Sequence, residues 1–561
     1  MKNTPKLKKA LLWSLPIISA TAVAVGVAVP LSQQRLHINS SFKTQGITNT
    51  LANTDQTKYI NHNEVSLMFA SSVKRSYVKD LVSNLIKNNP SLMSFIRTVN
   101  DVEFYNVTSG TGWMLDYSID QNNPNLVNYY LGSNIHVLQL CYEVSLKNPF
   151  GQEMKISIPV SGKTVDSIDA YISQPQGNSQ YAGDQTNIDS VTSYSGVWDI
   201  GWYKLGNFKI IPVGALNSKN AENSYKASIE FTTNNQRYTA AINNDYSITS
   251  ARQIFENAVN DNTDKLASDF GVLKTQIDIS KPMVPDAFKN GNQTHIEFRR
   301  SNYGFIPTQA DYYDDKQQEL RQEFENLNKM FDTKTKLDNV NKDSTYITKL
   351  RYLNEQIQNK KITKEQLESL FPFAKIDNAK YLEIGGFPSK PGEYGGLVNK
   401  FNVGRVEKDE LNGPYTIIKD LLPFYNDGNL GFGIYNKSNN YLTILKQLTP
   451  GSSGSMALNQ NNQIVGILWG MSGQNYNIVT PLFNDSKSNL IYDFLKYQSE
   501  HDKNSQLLKL FTSLYNYKTD EKVDETRISK NQNESETNTN DSYEIFIDYG
   551  NGDFYHAWYT L

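Results

Sequence analysis

Cysteine is almost absent from this chain of 561 residues, which contains only Cys141. A single thiol excludes any intramolecular disulfide, and with it a disulfide-stapled secreted scaffold or a cysteine-rich zinc site. The surrounding segment Leu138–Tyr142 predicts a buried strand, which favours a structural thiol over a nucleophile.

A surplus of charge of one sign is also lacking. The 55 Lys and Arg residues are balanced by 58 Asp and Glu residues, which gives a formal net charge of -3. This balance offers no electrostatic argument for nucleic acid as the main partner. The hydrophobic fraction of 38% supplies a sizeable core and excludes a collagen-like, polytopic membrane or wholly disordered chain. At about 150 residues per domain, the length allows three or four domains.

Long apolar runs are missing except at the N-terminus. Four lysines between Lys2 and Lys9 precede the uncharged stretch Ala10–Gln34, whose core is rich in Ala, Val, Leu and Ile. This pattern is typical of an export signal, and about 20 residues suffice to span a bilayer. The lysines favour a cytoplasmic start. We therefore expect a signal peptide or membrane anchor at 1–34, with the working protein on the outer face of the cell membrane or secreted.

The rest of the chain alternates between β-type and helical patterns. Short runs rich in Val, Ile, Tyr and Trp between turn residues indicate strands, whereas Glu, Lys, Gln and Leu at helical spacing indicate helices. The pattern predicts a mainly β fold in which two β blocks form the two barrels of one enzyme. The predicted divisions are a linker and small N-terminal region at 35–101, a first β-barrel at 102–216, a largely helical insertion at 217–375, a second β-barrel at 376–486, a C-terminal helix at 487–517, and a flexible linker with an aromatic hairpin tail at 518–561.

The most specific motif for chemistry is the loop Gly451–Ser455, which reads Gly-Ser-Ser-Gly-Ser. Acyl transfer needs a hydroxyl nucleophile and backbone N–H groups directed at the developing oxyanion. A Gly-x-Ser-Gly loop can supply both, with Ser453 as nucleophile and the N–H groups of Gly451 and Ser453 as the oxyanion hole. A hairpin and a strand ending in Trp469-Gly470 follow, in the order found around trypsin-like nucleophiles.

A serine nucleophile needs a base, and His136 is the only one of six histidines at the end of a strand within a β block. The base needs an orienting carboxylate. Asp199 stands between Trp198 and Ile200, where an unpaired charge is costly to bury and a histidine N–H is a suitable partner. The order His136, Asp199, Ser453 is that of chymotrypsin. Competing carboxylates in more polar sequence are Asp166, Asp169, Asp184 and Asp189.

These motifs together resemble the trypsin-like serine endopeptidases, and the glutamyl-endopeptidase branch more than trypsin itself. The segments that carry the resemblance are Gly110–Trp113, Ser133–Val137, Asp199–Gly201, Tyr381–Pro388 and Gly451–Ser455. The resemblance implies a double β-barrel and a Ser-His-Asp acyl-enzyme mechanism. It also implies that Gln447 lies near the base of the specificity pocket, with Trp469 and Gly470 along its wall. Ser452 stands where trypsin-type zymogens have the aspartate that pairs with a freed N-terminus.

The insertion, the Asn-, Lys- and Tyr-rich composition and the export segment narrow the resemblance to the mycoplasma immunoglobulin protease family. This resemblance implies cleavage of immunoglobulin heavy chains that are held by a separate antibody-binding surface protein. No cofactor and no metal are implied. Two alternatives stay open at this stage: a surface serine protease of broader specificity, and an inactive protease-like protein that binds immunoglobulin or acts in adhesion.

Overall fold

The structure is a computed structural model of the whole chain. The residues that it describes are 55–88, 90–95, 104–138, 141–147, 153–159, 165–174, 194–197, 203–216, 228–233, 236–242, 248–250, 266–283, 294–301, 304–311, 317–341, 344–388, 401–426, 429–445, 448, 451–471, 477–483, 489–519, 543–548 and 554–559. The predicted export or anchor segment at 1–34 lies outside them. Each helix that the structure describes falls short of the length and apolar content that a bilayer crossing requires.

The described residues are mainly β. The first thirteen strands are β1 (Glu64–Val73), β2 (Phe104–Ile119), β3 (Leu126–Ser133), β4 (Cys141–Lys147), β5 (Glu153–Pro159), β6 (Val165–Ser173), β7 (Tyr194–Val197), β8 (Tyr203–Lys204), β9 (Phe208–Ile211), β10 (Ser228–Thr233), β11 (Gln236–Ile242), β12 (Ile248–Ser250) and β13 (Leu266–Ala267). The others are β14 (Gly271–Asp278), β15 (Thr294–Ser301), β16 (Gly304–Asp311), β17 (Tyr381–Gly386), β18 (Asn402–Glu407), β19 (Asn412–Asn426), β20 (Asn429–Thr443), β21 (Met456–Leu458), β22 (Ile464–Met471), β23 (Asn477–Pro481), β24 (Tyr543–Asp548) and β25 (Phe554–Tyr559).

Along the chain, the described helices stand before the first strand and between later strands. The α-helices are α1 (Asp55–Asn63), α2 (Arg75–Asn88), α3 (Ile135–Leu138), α4 (Gln317–Met330), α5 (Tyr346–Gln358), α6 (Lys364–Leu370), α7 (Leu490–His501) and α8 (Gln506–Thr519).

Two large curled sheets carry the architecture. The first has seven strands in the order β8-β6-β1-β2-β3-β14-β9, and all of its pairings are antiparallel. The second has the order β18-β17-β21-β22-β23-β20-β19-β24-β25, with β13 beside β20. Two mainly antiparallel sheets of this kind are consistent with the expected double β-barrel. Smaller sheets are formed by β12-β11-β10-β5-β4 and by β16-β15-β7.

The first sheet recruits strands from outside the region predicted to form it. The strand β1 comes from the predicted linker and N-terminal region, and β14 comes from the predicted helical insertion. In β14, Leu273, Thr275 and Ile277 are buried and alternate with more exposed polar residues, as a strand with one buried face requires. The described part of the segment 217–375 is therefore not largely helical: it contributes strands between 228 and 311, and its described helices begin at Gln317.

One continuous apolar core joins the first sheet to most of the helices. Trp113, Tyr129 and Phe270 are fully buried there, and the indole of Trp113 stacks on the ring of Phe270 at 6.3 Å. A smaller core, which includes Ile384, Val465 and Val479, fills the second sheet. Burial of apolar area on this scale is the main stabilising contribution to the fold.

A buried carboxylate fastens the two C-terminal helices to the first sheet. Asp116 in β2 accepts hydrogen bonds from the backbone N–H of Leu507 (2.9 Å), the amide of Gln498 (2.9 Å) and the hydroxyl of Ser505. Burial raises the pKa of Asp116 to about 6, against the lowering effect of these donors. Nearby, Asp502 accepts from the hydroxyl groups of Ser118 and Tyr130. The helices α7 and α8 therefore belong to the same folded unit as β2 and β3.

We expect Asp116→Ala to lower the free energy of unfolding by about 3 kcal/mol, because it leaves several buried donors without an acceptor. The matched control is Asp120→Ala, since the Asp120 carboxylate accepts from the exposed turn residues Asn122 and Asn123. Chemical denaturation of the two variants measures the difference. A loss for Asp116→Ala no larger than that of the control would contradict the fastening role.

Candidate active site

The predicted nucleophile loop lies between the two large sheets. Gly451 and Gly454 have φ angles of 101° and 96°, which L side chains rarely adopt, so glycine is required at both ends of this turn. Inside the turn, the Ser455 hydroxyl donates to the carbonyl of Ser452 at 2.6 Å. The Ser453 side chain is partly exposed, as a nucleophile must be, whereas Ser452 is 1% exposed.

Thr111 in β2 of the first sheet binds this loop at two points. The N–H of Thr111 donates to the carbonyl of Ser453 at 2.8 Å, and its hydroxyl donates to the carbonyl of Gly451 at 3.1 Å. The fit is close, because a Cβ added at Gly454 would lie 2.0 Å from the carbonyl oxygen of Thr111. The middle of β2, which contains Gly110 and Gly112, therefore matches the shape of the loop.

The same part of β2 also contacts the segment that carries His136. The Ser133 hydroxyl donates to the carbonyl of Thr111 at 2.7 Å, and Ser133 ends β3 just before α3. A Cβ added at Gly110 would lie 2.3 Å from the Val137 side chain and 3.1 Å from the carbonyl oxygen of Ser453. Gly110 therefore lies between the side chain of Val137, which follows His136, and the backbone of Ser453. The structure brings the two predicted catalytic segments together.

His136 is bonded to a carboxylate, and that carboxylate is Asp269. The Nδ1 atom of His136 lies 2.5 Å from Oδ2 of Asp269, while the backbone N–H of His136 donates to Oδ1 at 3.1 Å. The Asn134 amide donates to the Asp269 carbonyl at 2.7 Å, which ties the two segments together a third time. Asp269 is 1% exposed, whereas the His136 side chain is 32% exposed. A buried carboxylate behind a partly exposed imidazole can fix the orientation and the tautomer of that imidazole.

Strand pairing explains why Asp269 reaches His136 across 133 residues of sequence. Gly271, the first residue of β14, pairs with Ser133, the last residue of β3. In an antiparallel pair, the residue that precedes one strand lies next to the residue that follows its partner. Phe270 is stacked on Trp113 and fixes the intervening turn.

Asp199, which the sequence predicts to orient the base, lies outside the described residues. Among the described residues, the carboxylate that contacts Nδ1 of His136 is that of Asp269. The sequence did contain a signal for Asp269, since it stands directly before the alternating strand pattern Gly271–Asp278. The sequence pattern does not favour Asp269 as the partner of His136, because it assigns 217–375 to a largely helical insertion.

The two N–H groups predicted for the oxyanion hole belong to Gly451 and Ser453. Neither of them donates a hydrogen bond to any other described backbone carbonyl. The carbonyls of the same two residues are turned toward Thr111 and bonded there. The loop thus has the carbonyl groups of Gly451 and Ser453 fixed to β2.

A comparison with protein families matches this chain to the mycoplasma immunoglobulin proteases. The match runs from residue 54 to residue 470, which is well over half of the chain. The chain belongs to that family. Because this is a family of proteases, membership supports a peptidase activity for the chain. The matched region contains His136, Asp269 and Ser453.

Other comparisons add little to the family match. A structure of the mycoplasma MIB and MIP proteins is similar to this family member at 13% sequence identity and a TM-score of 0.25. The alignment covers 76% of this chain and 61% of that one, so the chain spans less than two thirds of its neighbour's length. No curated protein sequence matches significantly.

The three residues predicted to line the substrate cleft of this family member differ from one another in their surroundings. Gln447 lies outside the described residues. Trp469 is fully buried and its indole N–H donates to the Asn440 side chain at 2.7 Å, so its ring has no surface open to a substrate. Gly470 is partly exposed in β22. Of the two cleft residues that the structure describes, Gly470 alone has exposed surface.

A cavity between described residues lies away from this site. It has a volume of about 800 Å³ and is lined by α1, α5 and the turn Gln460–Gln463, and it contains none of His136, Asp269 and Ser453. Several of its polar groups are already bonded within the protein, such as the amide of Gln463 to the carbonyl of Phe371. Among the described residues, no group of three or more His, Cys, Asp or Glu side chains could hold a metal ion.

Proposed function

We propose that this protein is a serine endopeptidase of the cell surface that cleaves immunoglobulin heavy chains through an acyl-enzyme. The observation that carries the proposal is the buried Asp269 carboxylate bonded to Nδ1 of His136, in a segment that shares β2 with the Ser453 loop. Family membership supports the substrate class.

The proposed first half-reaction begins with attack of the Ser453 Oγ on the scissile carbonyl carbon. Nε2 of His136 takes the hydroxyl proton, because Nδ1 already donates its own proton to Asp269. The N–H groups of Gly451 and Ser453 bind the oxyanion of the tetrahedral intermediate. His136 then gives the proton to the leaving amine, and the acyl-enzyme remains on Ser453.

In the second half-reaction, His136 removes a proton from water as that water attacks the ester carbon. The tetrahedral intermediate collapses, the new carboxylic acid leaves, and the proton returns from His136 to the Ser453 oxygen. Asp269 stays ionised throughout, since its part is to fix the tautomer of His136 and to stabilise the imidazolium.

The proposal extends to partners and location. Immunoglobulin is the substrate, and a separate antibody-binding surface protein presents it to the protease. The lysine-led apolar segment at 1–34 places the enzyme on the outer face of the membrane by a single anchor, or releases it by cleavage. No cofactor takes part in the proposed chemistry.

The test is cleavage of intact immunoglobulin G by residues 35–561, with Ser453→Ala as the inactive control and a panel of unrelated folded proteins. We expect one heavy-chain cut, read from the fragment masses, that is lost in the variant and absent from the panel. A fluorophosphonate probe should label Ser453 of the same preparation.

Each other outcome favours an alternative. Cuts across the whole panel would support a surface protease of broad specificity. Labelling of Ser453 without cleavage would call for the assay to be repeated with an antibody-binding partner present. Absence of both labelling and cleavage, with that partner supplied, would support an inactive relative that binds immunoglobulin or acts in adhesion, and would refute the proposed function.

A further inference from the structure

A buried carboxyl group lies behind the nucleophile loop, and the triad chemistry does not use it. Glu64 is the first residue of β1 and is fully buried. Its Oε1 accepts the backbone N–H of Met456 at 2.8 Å, while its Oε2 is buried and has no hydrogen-bond partner among the described residues. Burial raises the pKa of Glu64 well above its ordinary value, and the Met456 N–H offsets only part of that effect. Burial therefore favours the protonated form of this side chain.

The bond from Met456 lies at a point that the second sheet leaves incomplete. Met456 is the first residue of β21 and comes three residues after Ser453. On one side β21 pairs with β22, where Met456 lies opposite Ile467. On the other side, β17 pairs with Ala457 and Leu458 only. The Glu64 carboxyl therefore supplies the acceptor where the β17 ladder stops.

Glu64 is also tied to the strand that holds the rest of the loop. It pairs with Trp113 in the β1–β2 ladder, two residues from Thr111. Thr111 binds the carbonyls of Gly451 and Ser453, and Glu64 binds the N–H of Met456. Two adjacent strands of the first sheet thus hold both ends of the loop.

The N-terminal segment has a further anchor that keeps Glu64 in place. The carbonyl oxygen of Glu64 accepts from the amide of Gln174 at 3.1 Å, and Gln174 also donates to the carbonyl of Asn61 at 2.6 Å. The backbone around Glu64 is therefore fixed independently of its side chain. A change in the side chain can be expected to act on the loop rather than on the path of β1.

We propose that Glu64 is a positioning residue that fixes the Met456 peptide, and through it the placement of the Ser453 hydroxyl and of the N–H groups of Gly451 and Ser453. The inference rests on the proposed function and deepens it, since it assigns a role in catalysis to a residue before the predicted barrels. The link is short: the chain runs through Gly454 and Ser455 only, and the hydroxyl of Ser455 is already fixed to the carbonyl of Ser452.

The test compares Glu64→Gln with Glu64→Met in the enzyme of residues 35–561. Gln keeps a neutral acceptor at Oε1, whereas Met has nearly the same shape and only a weakly accepting sulfur. The readouts are the second-order rate of Ser453 labelling by a fluorophosphonate, and kcat and KM for a cleaved substrate. We expect Gln to stay within about threefold of wild type. We expect Met to lose about 10²-fold in labelling rate and kcat with little change in KM, the size of effect that follows small misplacement of catalytic groups.

A control separates positioning from general destabilisation. Glu383→Ala removes another fully buried carboxyl group of the second sheet, one that binds Arg405 at 2.9 Å. It should lower the unfolding temperature while the folded enzyme keeps the wild-type labelling rate. Glu64→Ala, which cannot overpack the site, is the second variant that lacks the carboxyl acceptor.

The outcomes are distinct. If wild type is labelled and Glu64→Met or Glu64→Ala is labelled equally fast, the positioning role is refuted and the proposed function stands. If the Gln variant is labelled as slowly as the Met variant, the hydrogen bond that Glu64 accepts from Met456 does not explain the loss, and the positioning role is again refuted. If folded wild type is not labelled at Ser453 even with an antibody-binding partner present, the proposed function falls and the Glu64 inference falls with it.

Discussion

Ser453→Ala is expected to lower kcat by about 10⁶-fold, the loss found when the nucleophile of a comparable triad is removed. Neither of the other two serine hydroxyls of the loop can replace it. Ser452 is 1% exposed, and the Ser455 hydroxyl is bonded to the carbonyl of Ser452. The residual rate should be the small contribution of substrate binding and of the Gly451 and Ser453 N–H groups, which the substitution retains.

Ser452→Ala is the matched control for that experiment. It removes a hydroxyl from the adjacent residue of the same loop, and the Ser452 Oγ is buried without a partner among the described residues. Loss of an unsatisfied buried hydroxyl costs little, so kcat should stay within a few-fold of wild type. Equal losses in the two variants would show that the loop conformation, rather than the Ser453 hydroxyl, had been damaged, and would contradict the nucleophile assignment.

The parts of the site that the sequence predicts are those encoded by local patterns. The glycines at 451 and 454 are needed for positive φ angles, and His136 follows the end of a recognisable strand. Each pattern is complete within a few residues. A sequence alone can therefore indicate the nucleophile loop and the base, and their order along the chain.

The carboxylate could not be chosen in this way, because its partner is set by register. Only the pairing of Gly271 with Ser133 brings Asp269 to His136. Asp199 had the better local argument, as a charge between apolar residues, but a local argument contains no information about which strand lies beside β3. Strand register depends on the whole buried face of a sheet.

The division into domains met the same limit. Both β1 and β14 have clear strand patterns, yet their neighbours in sequence suggested a linker and a helical insertion. Their place in the first sheet follows from pairing with β2 and β3. For this chain, composition indicates a mainly β protein, whereas the membership of each sheet depends on contacts between distant segments.

Asp269→Asn tests the revised triad most sharply, and we expect it to lower kcat by about 10⁴-fold. Both carboxylate oxygens face a donor: Oδ1 accepts the His136 backbone N–H, and Oδ2 binds Nδ1. An asparagine has one oxygen for these two donors. If its oxygen meets the backbone N–H, its NH₂ group donates to Nδ1, and the imidazole proton moves to Nε2. An Nε2 that carries a proton cannot accept one from Ser453.

The comparison variant is Asp199→Asn, which changes the carboxylate that the sequence favoured. It should leave kcat within a few-fold of wild type, since Asp269 already fills the Nδ1 position of His136. Asp269 is 1% exposed, so water cannot replace the oxygen that is lost in Asp269→Asn. For this variant, KM should change far less than kcat. The unfolding temperature of each variant is measured first, to establish that it is folded. The rate of Ser453 labelling is then compared between the two variants. A large loss for Asp199→Asn with a near-normal Asp269→Asn would restore Asp199 to the triad and refute the assignment of Asp269.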